Sequence, residues 1–388
     1  MLLSCVNNLF SQTESETIKK AKDLISIKKY ESAFKLLDKY DPNNSKPDMV
    51  LLKEEIVLNY FVSSMMHQLF ALKDLKEKEE IKDFRGKEGK FGMQMFEIDK
   101  ILDSLIQIYP NNCKLYKGLG DYYYEVHLKY GENWLKKESE LKELIEKNYL
   151  KSINENCADY LPYYVLGYLK TAKEQYKDAL AYYKKSIELN NNYPSAQYNL
   201  AYSYLYLDER DSALIYAKKS LEMYEDIEYK SDAARMVAQI YLELNDDKKA
   251  LQFFENANEI DPENYYNLKP ILKLYLKTNH PKTNYIRSSL FNLYAGNPTI
   301  YNDLEEIYIK NKKEIELIKF YKEQLEVKKN NLKVFGNLNF YLAKFYTDTD
   351  KKLAKNYFIT AKNSFAKVLK PNHEIFQIIN DEIKQLEK

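Results

Sequence analysis

Small residues recur 34 positions apart in this chain, and so long a fixed period admits few folds. Gly167 and Ala201, Ala179 and Ala213, Ser186 and Ser220, and Ser152 and Ser186 are each separated by 34 residues. Self-similarity at 20–50 residues marks a stack of supersecondary units, each too small to bury its own apolar face. Within one unit, Leu166-Gly167, then Ala179, Tyr183 and Ser186 put small side chains where two antiparallel helices must approach closely. Large apolar residues at three- and four-residue offsets fill the rest of the seam. The connection "KEQ" (173–175) is short, as a helical hairpin requires. Nine glycines and ten prolines in 388 residues are few for a strand-and-turn fold, and lysine, glutamate and leucine recur at helical spacing. An all-α protein is expected.

The motifs carrying this period resemble the tetratricopeptide repeat family. Its W-x2-L-G-x2-Y…A-x3-F…P pattern appears as Tyr116, Leu119, Gly120 and Tyr123, and again as Ala234, Val237, Ala238 and Tyr241 followed by Ala250, Phe254 and Pro262. Further copies centre on Leu304 with Tyr308, and on Leu342, Ala343 and Tyr346 with Ala354 and Phe358. "IKKYESAFKLL" (27–37), with Ala21 upstream, is similar to an N-terminal copy. The resemblance implies a right-handed superhelical solenoid of eight or nine antiparallel helix hairpins. The expected organisation is a leader remnant at 1–12, degenerate hairpins over 13–112, well-formed repeats over 113–264, degenerate hairpins over 265–371 and a capping helix over 372–388. Two insertions interrupt the array: the charged segment 73–92, read as a flexible loop before a helix beginning at "MQMF", and segment 129–141, which holds the sole tryptophan, Trp134. The interval between Ala213 and Ala250 is three residues longer than the period, and Glu305 and Leu317 stand where small residues are expected, which predicts looser packing there.

In this family the first helix of each unit lines the inner wall. The resemblance therefore implies a partner-binding set of Asp121, Tyr124, Tyr164, Tyr168, Tyr198, Asn199, Tyr202, Tyr206, Arg235 and Gln239. Tyrosine suits recognition, offering rigid area and a hydroxyl at small entropic cost. Tyr116, Tyr123, Tyr183, Tyr241 and Tyr308 fall on signature positions and are assigned to packing. Lys117 fits one place of the lysine-asparagine-arginine clamp by which some members hold a carboxylate, but acidic Asp121 opposes an anion. A partner protein supplying an extended or helical segment is the expected ligand. A glycan-binding envelope protein and a cytosolic regulatory module are the alternatives.

Other chemistries find little support. The 59 basic and 58 acidic residues interleave, so no basic stripe for nucleic acid stands out. His67, His127, His280 and His373 lack metal-ligand spacing, and Gly86, Gly89 and Gly92 match no phosphate loop. No catalytic residue, cofactor or metal site is expected. Three cysteines are too few for a disulfide scaffold. Neighbouring helices pack about 8–10 Å apart, beyond the roughly 7 Å Cα limit for a bridge, so Cys113 and Cys157 are expected to be free thiols. "MLLSCVNNLFSQT" is similar to the end of a signal peptide with cleavage near Gln12, and its "LLSC" resembles a lipobox that makes Cys5 a candidate lipid-anchor site. Export to the periplasm or cell envelope is expected, with the cytoplasm as alternative. No segment reaches the length of a membrane-spanning helix.

Overall fold

The computed structural model describes residues 13–87, 89, 91–131 and 136–387, so the expectations for residues 1–12, with Cys5, and for Trp134 lie outside the described residues. The chain forms two compact units, residues 1–209 and 210–388. In the first, α1 (Glu14–Ser26), α2 (Tyr30–Tyr40) and α3 (Pro47–Asn59) precede β1 (Ser63–Met66), β2 (Leu69–Leu72), a short 3₁₀ turn (Ile81–Asp83) and β3 (Gly92–Met95). There follow α4 (Ile98–Ile108), α5 (Cys113–Tyr130), α6 (Glu138–Asn154), α7 (Tyr160–Ala172), α8 (Tyr176–Leu189) and α9 (Pro194–Tyr206). The second unit holds α10 (Arg210–Met223), α11 (Ile227–Glu243), α12 (Asp247–Ile260), α13 (Tyr265–Thr278), α14 (Thr283–Leu293), α15 (Pro298–Lys310), α16 (Glu314–Lys328), α17 (Leu332–Tyr346), α18 (Lys351–Phe365) and α19 (Ile375–Leu386).

The helices start where the sequence says they should. Asn112, Asp159, Asp226, Asn264, Asn297 and Asp350 accept backbone N–H bonds at the N-termini of α5, α7, α11, α13, α15 and α18, and proline opens α3, α9 and α15. Their ends repeat as well. Lys28, Glu174, Asp208, Asn245, Asn279 and Lys312 each adopt a left-handed backbone, φ between 52° and 66°, after a first helix. The next N–H then bonds back five residues, as Gln175 N to Lys170 O at 2.9 Å and Lys313 N to Tyr308 O at 3.0 Å. This is the Schellman way of satisfying terminal carbonyls. The last five of these corners fall 34, 37, 34 and 33 residues apart. The wider interval belongs to α11, which at 17 residues is longer than the 13-residue α7 and α9.

The recurring small residues lie at the seams. Ala179, Ser186, Ala201, Ala213, Ser220 and Ala250 are fully buried. A Cβ on Gly167 would stand 2.7 Å from the Tyr183 ring, one on Gly120 2.6 Å from Tyr149, and one on Gly336 2.6 Å from Phe365. Each glycine is the floor on which an aromatic ring from the second helix lies. Where Leu317 and Glu305 replace small residues, α15 and α16 approach less closely than α7 and α8. Leu317 is buried, and Glu305 pairs with Lys344 at 2.8 Å. At the C-terminal end, Ile375, Phe376, Ile379, Ile383 and Leu386 of α19 cover Phe358 and Phe365 of α18.

Three expectations are corrected. Met93–Met95 is strand rather than helix: β3 pairs antiparallel with β2, which pairs antiparallel with β1. The charged insertion is not a flexible loop, since its described part is pinned to the α1–α2 corner. Asp74 accepts from Ser32 N at 3.0 Å, Leu75 N donates to Lys28 O at 2.9 Å, and Lys29 Nζ donates to Leu75 O at 3.0 Å. Finally, Cys113 and Cys157 form a disulfide with Cα atoms 5.9 Å apart. The interaxial distance of packed helices does not apply to them. Cys113 begins α5 and Cys157 lies just beyond the end of α6, so both occupy one end of the hairpin.

Candidate protein-interaction site

Eight of the ten expected partner-binding residues lie in the first unit, on α5, α7 and α9. The structure divides them. Tyr206 is 56% exposed, while Tyr168, Tyr198, Asn199 and Tyr202 are half-buried. Tyr206 stacks on Tyr176 with ring centroids 4.7 Å apart and leans on Tyr202 at 4.6 Å. Burial, together with the Tyr206 hydroxyl, raises the Tyr202 phenol above its usual range.

Tyr124 and Tyr164 are corrected: at 9% and 8% exposure they are core residues, not outward-facing ones. Tyr164 stands edge-on to Tyr193 at 4.9 Å, tilts against Tyr183 at 6.1 Å, and accepts from Asn199 Nδ2 at 3.3 Å. The Tyr124 hydroxyl lies in the field of Tyr193, Tyr168 and Tyr183, and burial raises its pKa. Adjacent hairpins close over both positions, so a surface predicted from one helix becomes the seam between two.

A cleft of about 560 Å³ opens between α3, α5 and α7. Asp121, the eighth residue, lies in its wall. Lys117 Nζ reaches Asp121 Oδ2 at 2.6 Å and Asp159 Oδ2 at 3.1 Å, and Tyr149 donates to Asp121 Oδ1 at 2.9 Å. Burial alone would lower the Lys117 pKa, but the Asp121 and Asp159 carboxylates outweigh it and hold the ammonium charged. Asp121 is raised by burial despite those partners. Lys117 is thus engaged by two carboxylates.

On the same wall stands Glu54, which the sequence offers only as half of a Glu54-Glu55 pair whose members a helix turns in different directions. α3 carries Lys53 and Glu54 side by side in the apolar run "MVLLKEEIVL", and both are buried, at 0% and 4% exposure. Lys53 Nζ is fully satisfied, donating to Asp38 at 2.9 Å, Asn44 at 2.8 Å and the Asp41 carbonyl at 3.1 Å. Glu54 Oε1 has no hydrogen-bond partner. Gly118 of α5 lets the backbone press on it, since a Cβ there would collide with Glu54 Oε2 and stand 2.7 Å from Leu51 Cδ2. Burial, then the Asp121 charge, pushes the Glu54 carboxyl well above the usual carboxylate range. The available signal was the charged run Lys53-Glu54-Glu55 set inside an otherwise apolar stretch of α3.

The remaining two expected residues lie in the second unit. Arg235 is engaged internally: it pairs with Asp232, donates to Asn267 Oδ1 at 3.1 Å and lies over the Tyr266 ring. Gln239 is exposed. Nearby, Tyr265, Tyr266, Tyr294, Asn297, Thr299 and Ile300 line an open hollow of about 480 Å³.

Among the described residues no group of three or more His, Cys, Asp or Glu is placed to hold a metal, and no helix is long and apolar enough to cross a membrane. His280 stacks on Tyr275 with centroids 3.8 Å apart, and His373 Nδ1 accepts from Ile375 N.

A tetratricopeptide repeat model matches residues 162–193, 194–227 and 236–264. No curated protein matches the chain in sequence. Among solved structures the chain is similar to a tetratricopeptide repeat protein from Parabacteroides merdae, with TM-score 0.42 and 16% identity, covering 70% of this chain and 99% of that one. It is similar also to the C-terminal part of a TPR repeat-containing protein from Cytophaga hutchinsonii (0.41, 16%, 74% and 93%) and to pilF of Pseudomonas aeruginosa (0.41, 13%, 69% and 99%).

Proposed function

We propose, from the premise that this chain carries tetratricopeptide repeats between residues 162 and 264, that it is a non-enzymatic scaffold binding a partner protein through a peptide or helical segment. The observation that carries the reading is the aromatic ledge of the first unit, where Tyr168, Tyr198, Tyr202 and Tyr206 keep part of their surface in solvent. Rings held by neighbouring rings lose little freedom when a partner docks, so contact area there converts efficiently into affinity. A photo-crosslinking residue at position 168 or 206 should capture one and the same partner in native cells, and the same probe at Glu188 of α8 should not. Equal capture at all three positions, or capture at 188 alone, rejects the ledge as the binding face.

The proposal extends to location. A disulfide between Cys113 and Cys157 persists in oxidising compartments and is rare in the cytosol, which supports an exported scaffold. Differential alkylation of protein taken from native cells should find both thiols blocked. Two freely alkylated thiols would place the protein in a reducing compartment.

A further inference from the structure

The cleft between α3, α5 and α7 is a site of a different character from the aromatic ledge. Five carboxylic acids line it, Glu54, Glu55, Asp121, Glu125 and Asp159, against two lysines, Lys114 and Lys117. Most of these charges are already matched: Lys117 holds Asp121 and Asp159, Lys129 holds Glu125, and Lys114 faces Asp48 at 4.0 Å. Glu54 and Glu55 have no ion-pair partner among the described residues. Glu55 is exposed and solvated, but Glu54 is 4% exposed and its Oε1 is without a hydrogen bond.

An unsatisfied buried carboxyl is destabilising, and its immediate neighbour Lys53 demonstrates that this helix can satisfy a buried charge from within the fold. Glu54 lines an open cleft instead. A cation entering that cleft would complete it. The lining also includes the half-buried Tyr160 beside the nearly buried Tyr124, and a tyrosine ring is a surface on which a planar, weakly hydrated cation stacks better than an ammonium. We propose that this cleft takes an arginine side chain of the bound protein segment, its guanidinium paired with Glu54 and flanked by Tyr160. The inference rests on the reading that the chain binds a protein segment, and it adds what that segment must carry. Burial, then the Asp121 charge, favours the protonated Glu54 carboxyl while the cleft is empty, and an arriving guanidinium favours the carboxylate.

The probe is a blocked pentapeptide, acetyl-Gly-Gly-Arg-Gly-Gly-amide, titrated by calorimetry into the full chain beside its lysine and citrulline counterparts. Saturable binding of the arginine peptide is expected, weakened about tenfold or more by citrulline or by Glu54→Gln, and weakened several-fold by lysine. The E54Q chain should melt no lower than the parent, which separates loss of the site from loss of the fold. Glu55→Gln, on the exposed neighbour, should weaken binding only slightly. No saturable binding, equal binding of arginine and citrulline or of arginine and lysine, or undiminished binding by E54Q overturns the arginine site. Crosslinking at positions 168 and 206 is independent of this outcome: partner capture there without arginine binding leaves the scaffold standing and removes the cleft, and the converse removes the ledge.

Discussion

Two adjacent residues of α3 show how differently one helix can treat buried charge. Lys53 is enclosed by acceptors, whereas Glu54 meets the backbone of Gly118 and an open cleft. The difference has a pH signature. The unfolded chain ionises Glu54 near 4.5, while the folded chain holds its proton to higher pH because of burial and the Asp121 charge; Lys117 and Glu55 are the other charges acting on it. The folded state therefore binds more protons in that window, and stability falls as pH rises above the ordinary carboxyl range until the folded value is passed. Glu54→Gln should flatten this slope in denaturant midpoints measured from pH 4 to 8. A parallel slope in parent and variant would show that Glu54 does not titrate as its burial dictates.

At the scale of elements, the corners carry the period as faithfully as the small residues do. Glu174, Asp208, Asn245, Asn279 and Lys312 share one left-handed conformation at near-constant spacing. Left-handed backbone costs an L residue with a Cβ about 1–2 kcal/mol, least for asparagine. Lys312→Gly should therefore raise stability by about 0.5–1 kcal/mol after the entropy of glycine in the unfolded chain is offset, read as a shift in urea midpoint at unchanged slope. Asn245→Gly should gain less. A loss at Lys312 would mean that its side chain contributes more than its backbone costs. The helices and their pairing were legible in the sequence because packing writes them at fixed intervals: Gly120 and Gly167 are glycine for the sake of Tyr149 and Tyr183. The sheet was not legible, since β1–β3 are four-residue strands built from Ser, Met, Gln, Leu, Phe, Ala and Gly and joined through His67 and Gln68, without the Asn-Gly type of turn that announces a hairpin.

For the molecule as a whole, an open stack must end on a face that tolerates water. α19 supplies it in the second unit, laying Phe376, Ile379 and Ile383 over Phe358 and Phe365. Chain ending before Ile375 should melt about 5–10 °C lower, since each kcal/mol is worth roughly 2–4 °C in a unit of this size, and should bind a hydrophobic dye. An unchanged melting curve would deny α19 that role. The proposed binding surface was legible only in part for a related reason. Tyr168, Tyr202 and Tyr206 keep surface in solvent as their helix positions predict, but whether Tyr124 or Tyr164 faces solvent depends on how the next hairpin lies, which no single helix encodes. The surroundings of Glu54 were hidden for the same cause: hydrophobic patterning marks it as inward without saying what it meets.

Because every hairpin of the regular array turns through the same backbone geometry, a junction solved once is solved for all of them. Such a chain can gain or shed a whole 34-residue module, through duplication or excision of its coding stretch, without inventing a new bend. Its length is then free to follow the size of whatever it carries.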